Sequence, residues 1–64
     1  MNKLKEYRIV KGLTQFELAK RSNINPADIS KIETGIIARP YAKWRKAIAE
    51  VLGVSESEVF LEVK

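Results

Sequence analysis

The sequence predicts an all-α protein folded as a compact five-helix bundle, and three observations lead there. Apolar residues recur at three- and four-residue spacing, as in Trp44, Ala47, Ile48, Val51 and Leu52, and no strand pattern of period two precedes the tail Leu61–Lys64, which is open to extending, fraying or pairing with another chain. Helix-start chemistry recurs as well. Thr14 with Glu17 and Ser55 with Glu58 read as capping boxes, while Asn25 followed by Pro26 pairs an N-cap with a first-turn proline. Finally, Gly12, Gly35 and Gly53 each stand just past a periodic segment, where a left-handed residue closes a helix.

Taken in order, residues 2–11 carry Leu4, Tyr7 and Ile9 among Lys3, Lys5, Glu6, Arg8 and Lys11, near helical period, with Gly12 as the stop. The second helix opens at the Thr14 box, is expected to turn Phe16, Leu18 and Ala19 inward, and runs to Arg21 or Ser22. Asn23 sits where the chain must turn sharply, because asparagine tolerates left-handed backbone better than any residue but glycine. Ile24 is expected to plug inward between the helices. The third helix is capped by Asn25, with Asp28 favourably placed near its positive end, and buries Ile29 and Ile32 before Gly35 ends it. A short loop over 36–39 follows. Pro40 is expected to start a fourth helix whose inner stripe has Trp44 as core anchor, and a last turn or two runs from Ser55 to about Phe60.

Residues 14–35 thus read as two capped helices with only three or four residues between them, a connection that makes them cross at about 90–120° instead of lying side by side. Opposite Ile29 and Ile32, the third helix offers Ala27, Lys31 and Thr34 at i, i+4 and i+7, with Pro26 and Ser30 near the same side. These side chains are small or basic, which suits a helix held out into a DNA groove. Charge is divided in the same sense: residues 1–46 hold eleven Lys/Arg against Glu6, Glu17, Asp28 and Glu33, a net +7, while residues 47–64 hold Lys64 against Glu50, Glu56, Glu58 and Glu62, a net −3. Such a split orients a molecule toward a polyanion, although charge alone fits an ordinary solvated surface equally well.

Composition narrows the function classes. The chain has no cysteine, hence no disulfide framework and no thiolate metal site, and no histidine, the usual general base and commonest metal ligand. The carboxylates Glu56, Glu58 and Glu62 read as a solvated face without a nucleophile–base pair. Neither catalysis nor a cofactor is expected. No apolar run approaches the roughly 20 residues that span a bilayer, and the opening residues lack the apolar block of a signal peptide, so a cytoplasmic protein without a membrane partner is expected. A chain of 64 residues allows one small domain. It buries only about 60% of its unfolded surface, and must find its core in helix packing.

Five groups of residues fall at the spacing of one known family: Thr14-Gln15-x-x-Leu18-Ala19, then Ile24, then Ile29-Ser30-x-Ile32-Glu33-x-Gly35, then Pro40, and finally Ile48-Ala49-x-x-Leu52-Gly53-Val54. On them the chain resembles the phage repressor/Cro family, the Xre-type helix-turn-helix, over nearly its whole length. The resemblance implies a lambda-repressor-like DNA-binding fold filling residues 1–64 as one domain, with the helix-turn-helix at 14–35. It implies a sequence-specific regulator of transcription, a repressor, that is nucleoid-associated in a prokaryotic or phage-derived setting and inserts its third helix in the major groove. Two departures matter. Asn23 stands where the family usually has glycine, and Pro26 and Ala27 stand where well-known phage repressors carry glutamine. Direct readout is therefore expected to lean on Lys31, on Ala27 against a thymine methyl and on Asn25, with part of the preference indirect.

The resemblance also assigns individual roles. Gln15, in the first turn of the second helix, is implied to touch a phosphate, as is Arg39 just before Pro40. Lys31 reads a guanine edge, touches a phosphate or stands in solvent. Lys43, Lys11 and Lys20 are weaker phosphate candidates, and Tyr41 either lends its hydroxyl to a phosphate or packs on the fourth helix. Arg8 and Glu33 are implied to form a partly buried salt bridge between the first and third helices. Phe60, Leu61 and Val63 are candidates for a dimer contact, Phe60 having a core plug as its alternative. The expected partner is a palindromic double-stranded operator bound by a homodimer. The alternative is an antitoxin or co-regulator that acts through a protein partner, for which residues 61–64 leave little chain to build an arm.

Overall fold

The computed structural model describes residues 2–60, and they form an all-α fold of five helices: α1 Leu4–Val10, α2 Gln15–Ser22, α3 Pro26–Thr34, α4 Ala42–Leu52 and α5 Glu56–Val59. The caps are those the side chains dictate. Thr14 accepts from the amide of Glu17 while the Glu17 carboxylate takes the Thr14 amide, and Ser55 with Glu58 repeats the arrangement at α5. Asn25 Oδ1 accepts from the Ala27 amide at 2.8 Å and so caps α3. One cap was not read from the sequence. Asn2 Oδ1 accepts from the Leu4 amide, and its Nδ2 donates to the Ile32 carbonyl, tying the start of α1 to the end of α3.

Asn23 has φ 60°, ψ 39° and closes α2. The next amide, that of Ile24, reaches back to the Ala19 carbonyl at 3.0 Å, which reverses the chain within one turn and drives the Ile24 side chain into the core. Gly35 performs the same function at the end of α3 with φ 86°, and there the Ile37 amide donates to the Lys31 carbonyl at 3.0 Å.

The core gathers Leu4, Leu13, Leu18, Ile24, Ile29, Ile32, Ile48, Leu52, Val59 and Phe60, drawn from all five helices and two connections. Burial of each large aliphatic side chain contributes roughly 1.5–3 kcal/mol, so this cluster supplies most of the drive to fold. α2 packs chiefly on α3 and α4, and α5 closes over α4. Backbone pairing completes the frame: the Lys3 amide donates to the Val59 carbonyl at 2.8 Å, joining the first helix to the last. No helix among the described residues is long and apolar enough to cross a membrane.

Several expectations are corrected. Phe16 points outward and is 67% exposed. At about 100° per residue it lies some 200° from Leu18, and the inward face of α2 is instead Gln15, Leu18, Ala19 and Ser22. On α1, Leu4 and Arg8, four apart, hold the inner line, and Ile9 stands exposed. Pro40 does not begin α4, which starts at Ala42 behind Tyr41. Trp44 is half-buried at the edge of the core, with its ring against Tyr41 in an edge-on contact 4.9 Å between centroids. Phe60 is 4% exposed within the chain's own core, the place its core-plug alternative gives it; Leu61 and Val63 lie outside the described residues.

Candidate nucleic-acid interface

The outer side of α3 is laid out by two rigid devices, the Asn23 reversal before it and the Gly35 stop after it. With Ile29 and Ile32 fully buried, the helix has one possible rotation, and Pro26, Ala27, Lys31 and Thr34 stand exposed. Ser30 is half-buried. Thr34 Oγ1 is turned back on the helix, donating to the Ser30 carbonyl at 3.0 Å, which leaves its methyl and oxygen lone pairs outward. Asn25 spends Oδ1 on its cap and keeps only its Nδ2 hydrogens for another partner. Lys31 is the one full charge on the exposed side of this helix, and among the described residues no carboxylate pairs with it.

Behind that face lies a buried ionic knot. Arg8 Nε donates to Glu33 Oε2 at 2.5 Å, Arg8 Nη1 donates to the Leu13 carbonyl at 2.7 Å, and the Glu33 side chain is 4% exposed. The pair joins α1 to the last turn of α3, and Nη1 also fixes the α1–α2 connection. Every buried polar side-chain atom among the described residues has a partner, so the ions are desolvated but satisfied.

Gln15 enters the same knot, its Nε2 donating to Glu33 Oε1 at 3.1 Å. Only an N–H can face an acceptor-only carboxylate, so the flip of the Gln15 amide is set and its Oε1 is directed elsewhere. Beside it, the Gln15 and Phe16 backbone amides at the start of α2 have no acceptor among the described residues, because Thr14 takes the Glu17 amide. An anion at this point would meet free N–H groups at the positive end of a helix.

On the far side of α3, residues 36–39 bend away from the helix end and leave Arg39 exposed before Pro40 turns inward. Tyr41 is 70% exposed and packs against Trp44, while Lys43 stands on the outer side of α4. Lys11 and Lys20 are exposed too. Sequence reading missed Arg45: it is half-buried, donates from Nη1 to the Pro40 carbonyl at 2.6 Å and points Nε at Glu56 Oε1, 3.4 Å away. A cation at helical spacing from a buried stripe carries no mark that separates internal use from external use.

A family model described as a helix-turn-helix domain matches residues 2–60. The chain belongs to the helix-turn-helix family. No curated protein and no solved structure matches it. In the terms of this family, α2 and α3 with the three residues between them are the helix-turn-helix, and the family assignment makes the chain a DNA-binding protein in character. The exposed side of the third helix is small-featured, with one lysine among Pro26, Ala27 and Thr34.

Proposed function

We propose that this helix-turn-helix protein is a sequence-specific regulator of transcription, a repressor of the phage repressor/Cro kind, that inserts α3 in the major groove of double-stranded DNA. One observation carries the reading: α3 is locked by Ile29 and Ile32 so that its outer face holds only short side chains and Lys31. Short side chains let a helix approach base edges closely, and a lysine among them meets guanine O6 and N7 or a phosphate. Ala27 and the Thr34 methyl suit thymine methyls. On either flank, Gln15 with the free amides of α2 and Arg39 with Lys43 would take phosphates and set the register. The whole of residues 1–64 is read as one such domain, cytoplasmic and nucleoid-associated, acting as a homodimer on a palindromic operator by steric occlusion.

Selection of binding sites from random duplexes tests this. An enriched consensus with two half-sites centred about one helical turn apart is expected. Failure to enrich any sequence at low salt overturns the reading. A second reading, a co-regulator or antitoxin working through a protein partner, is favoured by one feature: Phe16 stands exposed beside a groove lined by Lys20, Asn23, Ile24 and Pro26. Retention of operator affinity by Phe16→Ser, with no protein co-purifying with the parent chain, would dismiss it.

A further inference from the structure

We propose that Arg45 is a positioning residue of the DNA contact, clamping the 36–40 loop so that Arg39 is carried to a phosphate; this rests on the DNA-binding reading above. In this loop Ile37 packs against the core and Pro40 is buried, but the backbone between them has few hydrogen bonds of its own. Its first end is tied by the Ile37 amide on the Lys31 carbonyl, and its last by Arg45 Nη1 on the Pro40 carbonyl at 2.6 Å. Between them, among the described residues, Ala38 and Arg39 make no backbone hydrogen bond and the Arg39 guanidinium has no partner. Pro40 has no N–H to give, so its carbonyl is the last backbone handle next to Arg39.

Arg45 is built for this hold. It stands in the first turn of α4 with its side chain 23% exposed, and its Nε faces Glu56 at the start of α5. One planar head thus spans two elements, with the carbonyl bond short and charge-assisted and the Glu56 contact long and more open to water. Its charge is spent inside the molecule, so it adds little to phosphate contact despite lying in the basic part of the sequence. A lysine has a single ammonium and cannot reproduce both directions of the guanidinium.

The test is a double-mutant cycle read by DNA affinity, using a mixed-sequence duplex at low salt and the chain, Arg39→Ala, Arg45→Met and the double variant. Arg39→Ala is expected to weaken binding roughly tenfold and Arg45→Met roughly fivefold, with Arg45→Met adding less than about twofold once Arg39 is gone. Arg45→Lys, which keeps the stem and the charge, is run in the same cycle beside thermal unfolding, and it carries the test if Arg45→Met does not fold. It too is expected to lose affinity only when Arg39 is present. No loss from Arg39→Ala sinks the contact reading and the positioning role with it. A loss from Arg39→Ala with the Arg45 variants multiplying in full sinks the positioning role alone.

Discussion

Lys31 and the Arg8–Glu33 pair separate two kinds of importance at single residues. The Lys31 side chain makes no hydrogen bond or ion pair among the described residues, so Lys31→Ala should leave unfolding by urea within about 0.5 kcal/mol of the parent. In the proposed interface it should relax preference at one base position, by roughly 1–3 kcal/mol of discrimination, as read by binding-site selection. An unchanged consensus would take the readout role away. The Arg8–Glu33 pair behaves in the opposite way. Arg8→Met strands a carboxylate that is 4% exposed, and the cost should be about 3–5 kcal/mol in the same urea titration. Gln15 would suffer indirectly, since its amide takes its orientation from that carboxylate. Phe16→Ser should cost almost nothing in stability, a result opposite to the one its hydrophobicity suggests. A loss above about 1 kcal/mol would mean that Phe16 is covered in solution.

Each helix is short, and its ends decide whether it forms. Asn25→Ala removes the acceptor for the Ala27 amide and should cost about 0.5–2 kcal/mol, because α3 begins there and nothing else caps it. The two capping boxes add a pH dependence. Hydrogen bonds from the backbone and side chain of Thr14, and likewise of Ser55, hold the Glu17 and Glu58 carboxyls below the usual glutamate value. A depressed folded pKa means that the stabilisation is complete above the unfolded glutamate range and is lost as pH falls through it to the folded value. Unfolding midpoints should therefore drop on acidification through that range, and the drop should be smaller in a Glu17→Gln, Glu58→Gln double variant, which keeps the Thr14 and Ser55 amides but has no carboxyl there to titrate. Equal acid sensitivity in the two proteins would remove the boxes from the account. These caps were legible in the sequence because each is a local pattern three residues wide. The helix faces were less so. Hydrophobicity puts Phe16 inward, while its angle to Leu18 puts it outside.

Over the whole molecule the proposed interface draws on α2, α3 and the 36–40 loop at once, and affinity should come mostly from phosphates. Arg39→Ala should lower affinity for all duplexes alike and reduce the slope of log affinity against log salt by about 1, whereas Lys31→Ala should change the consensus. An unaltered slope for Arg39→Ala would mean that the loop stands clear of the backbone. The order of helices, the caps of α2, α3 and α5, the Asn23 and Gly35 reversals and the isoleucine stripe of α3 are legible along the chain, because each is a pattern only a few residues wide. The use of each charge is not legible there and emerges from packing. Arg8, Arg39 and Arg45 look alike along the chain, yet Arg8 is buried on Glu33, Arg45 is held between Pro40 and Glu56, and Arg39 is left to solvent. The physical reason is that a guanidinium's partner is chosen by which acceptor from another helix comes within about 3 Å, a distance set by how the helices pack rather than by residue type.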